Sequence, residues 1–203
     1  MWTSQLRYSS KRPIGAPGFT TGRVTSVTKS GTMAGMPQSF PDGHWGREDI
    51  SPLFKPVYAF ASTALGSRVI KALVPLDRRV LKATNGKYTL FGPTSMPELL
   101  LTTTGRKSGQ QRVSALSYLR DGDRLLVLGS NFGAQHHPAW SLNLIADPQA
   151  VVAINGIDIP VTATLLTGAE AEPGLQRFLA YPMYQSYRTR TSRELRLFAL
   201  TVR

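Results

Sequence analysis

Apolar and polar residues alternate along the second half of the chain in a pattern typical of short β-strands. The alternation predicts strands at Leu99–Thr104, Arg112–Leu119, Arg124–Ser130, Ala150–Asn155, Ile157–Leu166 and Glu194–Val202. Asp121-Gly122-Asp123 and Asn155-Gly156 are tight-turn signals between neighbouring strands. Because strands joined by such turns pair antiparallel, the pattern favours a small antiparallel barrel over a parallel sheet.

Helical spacing precedes and interrupts these strands. Apolar residues recur at three- and four-residue steps between Ser51 and Thr84, where Pro75 is expected to break the first helix and a shorter helix to resume over Asp77–Ala83. Two further helices are predicted over Pro138–Ala146 and Glu170–Ala180. The expected fold class is therefore mainly β with flanking helices (α+β).

Composition divides the chain into three parts. Residues 1–35 are rich in Ser, Thr, Gly and Arg and contain no acid, which predicts a disordered segment, a targeting segment or a non-native extension ahead of a start at Met36. Residues 36–98 form an N-terminal helical segment, and residues 99–203 form the barrel. One core is expected in a chain of 203 residues.

Composition and charge narrow the chemistry. The chain has no cysteine, which excludes disulfides, thiolate nucleophiles and cysteine metal sites and fits a reducing cytoplasm. The histidines are His44, His136 and His137, and without carboxylate partners they predict no metal site. A formal charge of +12 implies an anionic partner. Nucleic acid is not expected, because no nucleic-acid motif and no basic helix face with interleaved aromatics is present.

The densest cluster of glycine and positive charge lies between the first two predicted strands. Gly105 and Gly109 allow backbone N–H groups to converge, and three cations and a hydroxyl lie beside them: Arg106, Lys107, Ser108 and Arg112. This arrangement suits a phosphate. It is not a nucleoside-triphosphate loop, since strands lie on both sides, and an exposed basic turn is the alternative interpretation.

Three motifs in order resemble one known family. TTTGRKSGQQR (Thr102–Arg112), SNFGAQHHPAWSLNL (Ser130–Leu144) and YPMYQSYRTRTSRELRLFAL (Tyr181–Leu200) are similar to segments of the deazaflavin-dependent nitroreductase family, whose members use coenzyme F420. The resemblance implies a split β-barrel of the kind that also binds FMN. It also implies hydride transfer from reduced F420 to a flat electrophile such as a quinone, an enone or a nitroaromatic.

The resemblance further implies a set of coenzyme-binding residues. They are Arg106, Lys107, Ser108, Gly109 and Arg112 at the charged end, and Ser130, Asn131, Phe132, Gly133, Ala134, His136, Pro138, Ala139, Trp140 and Asn143 at the ring. Trp140 would lie near the ring edge, with a core aromatic as the alternative. Relatives frequently have Tyr-His where this chain has Ser141-Leu142, and a cation where it has His136.

Tyrosines are the candidates for proton donation. Tyr181, Tyr184 and Tyr187 recur at three-residue steps, so on a helical turn they line one side. Tyr184 and Tyr187, with Ser130 as another donor, would protonate or hold the acceptor oxygen after hydride arrival. A packing stripe is the alternative. Arg190 and Arg193 are expected either to reach the coenzyme's charged end or to lie in solvent.

The remaining expectations concern partners. The partner is a small-molecule acceptor, in a monomer or homodimer located in the cytoplasm. Peripheral contact with the inner face of the cell membrane is expected through the helices of residues 51–84, whose apolar residues are flanked by cations. The competing functions are a non-catalytic deazaflavin carrier and an FMN-using relative of the same barrel.

Overall fold

The fold is described from a computed structural model. Residues 39–43, 46, 48, 56, 60, 64–92 and 95–203 are described. The chain divides after Ala34, and all described residues belong to the second unit, Gly35–Arg203. The expectations for residues 1–35 therefore lie outside the described residues, as does most of the predicted helix before Ala64.

Six strands of the described chain close into an antiparallel barrel. They are β1 (Glu98–Thr104), β2 (Gln111–Asp121), β3 (Arg124–Leu128), β4 (Gln149–Ile154), β5 (Ile157–Leu166) and β6 (Leu197–Val202). Their spatial order is β1-β2-β3-β6-β5-β4, and β4 pairs with β1 to complete the circle. The predicted strands and the predicted fold class, a split β-barrel with flanking helices, are confirmed. Closure leaves these strands without a free edge.

Four helices of the described chain flank the barrel: α1 (Ala64–Ala83), α2 (Ala139–Ala146), α3 (Gly168–Leu179) and α4 (Pro182–Thr189). The predicted break at Pro75 is wrong, because α1 continues through it. A proline removes one helical N–H, and tertiary contacts hold the following turns in place. Asp77 accepts hydrogen bonds from Thr89 and from the Leu90 N–H, and Leu81 is buried against the barrel. None of the described helices is long and apolar enough to cross a bilayer.

The barrel interior is filled by the inward-facing residues of the strands. Among the largest of these buried side chains are Leu99, Leu101, Leu125, Val127, Ile154, Ile159, Phe198 and Leu200. Trp140 and Leu144 of α2 complete the same cluster. Each such side chain stabilises the fold by about 1.5–3 kcal/mol relative to exposure, so this core fixes the strand register.

The outer face of the barrel is covered on two sides. The α3 and α4 helices pack Phe178 and Tyr184 against Leu126 and Leu197. The α3 helix comes so close that a Cβ at Gly174 would lie 2.7 Å from Leu197. On the other side, Leu81 of α1 packs against the outer face near Leu100. The strip of outer sheet between these helices remains partly open.

An N-terminal segment, of which residues 39–43, 46 and 48 are described, contacts the barrel through apolar and charged side chains. Phe40 inserts into the interior cluster, and the Arg120 guanidinium donates to its carbonyl at 3.2 Å. The Glu48 carboxylate accepts from the Arg120 N–H and, at 3.0 Å, from Arg177. The Tyr181 hydroxyl donates to the Glu48 carbonyl. The first tyrosine of the predicted stripe is therefore an anchor for this segment.

Candidate functional site

The turn between β1 and β2 together with the first two residues of β2, which we call the cationic hairpin (residues 105–112), has a tightly hydrogen-bonded backbone. The Gly105 N–H donates to Gln110 O at 2.8 Å, and the Gly109 N–H donates to Gly105 O at 2.7 Å. Gly109 has a φ of +67°, in the left-handed region that favours glycine. The Ser108 hydroxyl accepts from the Gln110 N–H at 3.3 Å. The hairpin is thus a preformed bend.

The side chains of the cationic hairpin are available to a ligand. Arg106, Lys107 and Arg112 are all exposed. No acidic residue in the described part of the chain forms a salt bridge with them, and Arg112 contacts the amide oxygen of Gln110 at 3.2 Å. Three cations without acidic partners on a rigid backbone make a good site for an anion.

Asn143 of α2 fixes the hairpin to the rest of the molecule. Its side chain is buried, its Nδ2 donates to Thr103 Oγ1 at 3.1 Å, and its Oδ1 accepts from the Arg106 N–H at 3.2 Å. Sequence reasoning expected this amide to contact the coenzyme ring. The structure uses it to position the backbone that carries Arg106.

The segment that follows β3, which we call the brace loop (residues 129–138), is organised around an arginine. The Arg193 guanidinium donates to the carbonyls of Ser130, Ala134 and Gly129 at 2.7, 2.9 and 3.0 Å, and contacts His137 Nδ1 at 3.3 Å. Desolvation, followed by the charges of Arg196 and Arg193, lowers the pKa of His137. Arg193 thus supports the loop, whereas the sequence analysis expected it either to reach the charged end of the coenzyme or to lie in solvent.

The brace loop holds three consecutive residues in the left-handed region. Asn131, Phe132 and Gly133 have φ values of 45°, 53° and 78°. A Cβ at Gly133 would lie 2.9 Å from Tyr187 O, so glycine is needed for contact with α4. The sequence analysis places this glycine at the coenzyme ring. Such strain in non-glycine residues costs about 1–3 kcal/mol each and is common at functional sites.

Other predicted loop residues differ in exposure. Phe132 is 54% exposed, while Ser130, Ala134 and Pro138 are half-buried and His136 and Ala139 are exposed. Among the described residues, none forms a hydrogen bond with the Ser130 hydroxyl. Asn131 Nδ2 donates to His136 O across the loop at 3.0 Å.

Trp140 lies in the barrel core. Its side chain is 6% exposed, and its ring meets Phe198 edge-on with centroids 5.6 Å apart. These surroundings match the core-aromatic alternative and leave little indole surface for stacking. Ser141 is also buried and donates to Pro138 O at 2.9 Å, as part of the start of α2.

The predicted tyrosines form a ladder of edge-on aromatic rings. Phe178 and Tyr184 have centroids 5.2 Å apart, Tyr184 and Tyr187 5.7 Å, and Tyr187 and Phe132 5.8 Å. Arg78 of α1 lies 6.0 Å from the Phe132 centroid. The ladder runs from the packed core to an exposed ring, with cation–π contact at its outer end.

The two inner phenols of the ladder differ in access. Tyr184 is 6% exposed, whereas Tyr187 is half-buried. Burial raises the pKa of both phenols, so both stay protonated at neutral pH. Tyr187 is therefore the phenol better placed to reach a bound molecule.

Sequence reasoning missed an open groove on the outer face of the barrel. It has a volume of about 520 Å³, and its lining comes from strands β1, β2, β4 and β5 and the C-terminal end of α1. Its lining residues are Lys82, Asn85, Leu100, Thr102, Gln111, Val113, Val151, Ala153 and Asp158. The apolar pattern of the strands does not reveal this groove, because it is formed only when α1 packs against the outer face.

No cluster of His, Cys, Asp or Glu in the described part of the chain is arranged to hold a metal ion. Most of the predicted coenzyme-binding residues lie in two places, the cationic hairpin and the brace loop. The α2 helix joins them, because it begins directly after the brace loop and carries Asn143 to the hairpin.

Comparisons with known proteins identify the family of this chain. The model of the F420H2-dependent quinone reductase family matches residues 76–202, more than half of the chain. An F420H2-dependent quinone reductase of Mycobacterium tuberculosis (strain H37Rv) is 33% identical over 137 residues, which are 64% of this chain and 91% of the relative. A putative F420H2-dependent quinone reductase of Mycobacterium bovis matches equally well, at 33% identity over 137 residues.

A solved structure described as an F420H2-dependent reductase is 34% identical, covering 51% of this chain and 93% of that chain with a TM-score of 0.47. The family model includes β1 to β6, the cationic hairpin, the brace loop and the tyrosine ladder. This chain belongs to the F420H2-dependent quinone reductase family.

Proposed function

We propose that the protein is an oxidoreductase that transfers a hydride from reduced coenzyme F420 to a quinone. The observation that carries this proposal is the cationic hairpin: three exposed cations without acidic partners in the described chain, on a backbone that Asn143 holds in place. In a member of this family, such a feature suits a coenzyme that carries a phosphate and an acidic tail. The FMN alternative is not needed.

The residues present fit this coenzyme. Arg106, Lys107 and Arg112 would hold its phosphate through charge-assisted hydrogen bonds worth about 1.5–3 kcal/mol each. Val113 and Thr102, which line the groove beside the hairpin, would face its ring. The bound coenzyme supplies a hydride from the central carbon of this ring. The protein's part is to bind, to orient and to supply a proton.

The phenol pair Tyr184 and Tyr187 supports the proposed proton donation. Hydride arrival leaves negative charge on an acceptor oxygen, which a neutral phenol can protonate or stabilise. Tyr187 reaches the open side of the ladder, and the buried Tyr184 lies behind it. The Ser130 hydroxyl is a second donor in this proposal. Enones and nitroaromatics are acceptors of the same flat, electron-poor class.

Anaerobic single-turnover kinetics test this function. Reduced F420 is mixed with the protein and a water-soluble quinone, and coenzyme oxidation is followed by absorbance. We expect stoichiometric quinone reduction, and a Tyr187→Phe variant that binds the coenzyme normally but turns over about tenfold more slowly or worse. Binding without reduction of any quinone, enone or nitroaromatic would instead support the non-catalytic carrier.

We also propose that α1 makes peripheral contact with a membrane. Four of its apolar residues, Leu65, Val69, Leu73 and Leu76, form one exposed stripe, with exposed Arg68 and Arg79 beside it. An apolar stripe edged by cations suits an anionic lipid surface, where a membrane-soluble quinone would be available.

Co-sedimentation with vesicles tests the membrane contact. The protein should bind vesicles that contain anionic lipid, and a Leu73→Ser/Leu76→Ser variant should bind much more weakly. Leu165→Ser, which changes an exposed leucine of β5, is the control. Equal binding by both variants would exclude α1 as the contact.

A further inference from the structure

The start of α4 is tied to a distant part of the chain by a contact that the proposed function does not use. The helix carries both candidate phenols, Tyr184 and Tyr187, and has eight residues. Its N-cap residue is Tyr181, whose hydroxyl donates to the main-chain carbonyl of Glu48. Helices shorter than about 12 residues are marginal on their own in water. The position of α4 therefore depends on contacts such as this one.

The residue that receives the Tyr181 hydroxyl is itself held by β2 and α3. One carboxylate oxygen of Glu48 accepts from the main-chain N–H of Arg120, near the end of β2. The other accepts from Arg177 of α3 at 3.0 Å. Arg177 also donates to the Arg120 carbonyl at 2.6 Å and pairs with Asp121 at 3.6 Å. Glu48 thus links the start of α4 to the barrel and to the preceding helix.

The other end of α4 is held by the brace loop. Gln135 donates to the Arg190 carbonyl at 3.0 Å, and Gly133 packs against Tyr187 O. The phenols therefore lie between two fixed points, one at Glu48 and one in the brace loop. Release of either point would let the rings of the ladder move. A displacement of about 1 Å at a reacting group can slow a reaction about a hundredfold.

We propose that Tyr181 is a positioning residue for proton donation by Tyr187, and that Glu48 holds Tyr181 in place. The contact fixes the first turn of α4, so that the Tyr187 phenol faces the acceptor. Neither Tyr181 nor Glu48 makes or breaks a covalent bond, and the proton passes from Tyr187 Oη to the reduced acceptor. The inference rests on the proposed function, in which Tyr187 supplies that proton.

A double-variant cycle in anaerobic single-turnover kinetics tests the inference. Tyr181→Phe removes only the hydroxyl and should slow quinone reduction about fivefold, while the dissociation constant for F420 stays within about twofold. Tyr181→Phe should slow the Tyr187→Phe protein no further, because Tyr181 acts through the Tyr187 phenol. A general loss of structure would slow both proteins equally. Losses that multiply, or an unchanged rate in Tyr181→Phe, would overturn the inference.

Two substitutions of Glu48 test its part in the contact. Glu48→Ala removes both carboxylate hydrogen bonds and should slow quinone reduction about as much as Tyr181→Phe. Glu48→Gln keeps an oxygen that accepts hydrogen bonds and should restore most of the rate. Arg124→Ala is the matched control, because Arg124 forms ion pairs of the same kind with Asp121 and Glu170. A normal rate in Glu48→Ala, or an equal loss in Arg124→Ala, would overturn the inference.

A measurement without coenzyme follows the Tyr187 ring itself. The protein's seven tyrosines are labelled with meta-fluorotyrosine, and the fluorine NMR signal that is missing in Tyr187→Phe is assigned to Tyr187. We expect this signal to shift in Tyr181→Phe and to keep its position in Arg124→Ala. A Tyr187 signal that stays in place in Tyr181→Phe would overturn the inference.

These measurements separate the possible failures. Multiplying losses in the double-variant cycle, with quinone reduction intact, would overturn the inference and leave the proposed function standing. Absence of quinone reduction in the unmodified protein would count against the proposed function, and the fluorine signal would then decide whether Tyr181 positions the Tyr187 ring.

Discussion

The cationic hairpin and the brace loop use arginine in opposite ways. In the hairpin, Arg106 and Arg112 are exposed, and the backbone that carries them is held by hydrogen bonds that do not involve their guanidinium groups, among them the Asn143 contact. In the brace loop, the Arg193 guanidinium is itself the support, since it donates to the Ser130, Ala134 and Gly129 carbonyls. The guanidinium groups of the hairpin are therefore available to a ligand, whereas that of Arg193 is occupied by hydrogen bonds within the protein.

The glycines of the two regions show the same difference. Gly109 and Gly133 both have left-handed φ values, +67° and +78°. A Cβ at Gly109 would meet nothing within 4 Å, whereas at Gly133 it would lie 2.9 Å from Tyr187 O. The hairpin glycine serves only its own turn, and the loop glycine also serves packing against α4. A charged, glycine-rich segment therefore indicates a ligand site only after its side chains are shown to be free.

The largest effect is expected from Arg193→Ala. Loss of several charge-assisted hydrogen bonds to carbonyls should lower the free energy of unfolding by about 3 kcal/mol. Urea denaturation measures the effect. Arg190→Ala is the matched control, because Arg190 is exposed and lies 5.9 Å from the Tyr187 ring, a contact worth less than about 1 kcal/mol. Equal losses in the two variants would mean that the brace loop does not depend on Arg193.

The next largest effect on stability is expected from substitution of Gly133, with Gly109 as its comparison. Gly133→Ala should lower the free energy of unfolding by about 2 kcal/mol or more, since it adds a steric conflict to the left-handed backbone. Gly109→Ala adds only the backbone cost of about 1 kcal/mol. The difference between the two denaturation midpoints isolates the contact with α4. It would be absent if α4 could shift away without cost.

Substitutions in the cationic hairpin are expected to weaken coenzyme binding and to leave the stability of the fold nearly unchanged. Arg106→Ala/Lys107→Ala should raise the dissociation constant for F420 at least about tenfold, or about 1.4 kcal/mol. Its free energy of unfolding should change by less than about 0.5 kcal/mol, as for other exposed substitutions. Fluorescence titration measures the first quantity and urea denaturation the second. Arg203→Ala, at an exposed position, is the control for a general loss of charge.

The smallest effect concerns pH and His137. Because desolvation, Arg196 and Arg193 lower its pKa in the folded state, the unfolded chain binds the proton more readily below pH 6.5. Stability should therefore fall slightly as the pH falls from 6.5 through the folded pKa, and His137→Asn should not show this part of the fall. Thermal melts between pH 5 and pH 8 measure it, and identical profiles would place His137 outside the influence of these arginines.

The barrel could be predicted from sequence because its signals are local. Alternation of apolar residues fixes strands such as β5, and Asn155-Gly156 takes the left-handed conformations that its turn requires, with φ values of 51° and 80°. The error at Pro75 arose because distant contacts, such as those of Asp77 and Leu81, hold a helix that local preference would end. Tertiary context decided there against intrinsic propensity.

The candidate site was harder to predict because its contacts join residues that are far apart in the sequence. A sequence shows that Trp140 and Arg193 lie near the motifs, but not that one faces the core and the other faces carbonyls. The salt bridge between Arg177 and Glu48 joins residues that are 129 positions apart, which no local pattern reveals.

The most direct test of the account compares two ligands on two proteins. F420 and its deazaflavin chromophore without the phosphate and glutamate tail are each titrated against the unmodified protein and Arg106→Ala/Lys107→Ala by fluorescence. If the cationic hairpin holds the phosphate, the unmodified protein prefers F420 by at least about tenfold and the double variant loses that preference. A preference that survives unchanged in the double variant would place the anionic end of the coenzyme elsewhere and contradict the account.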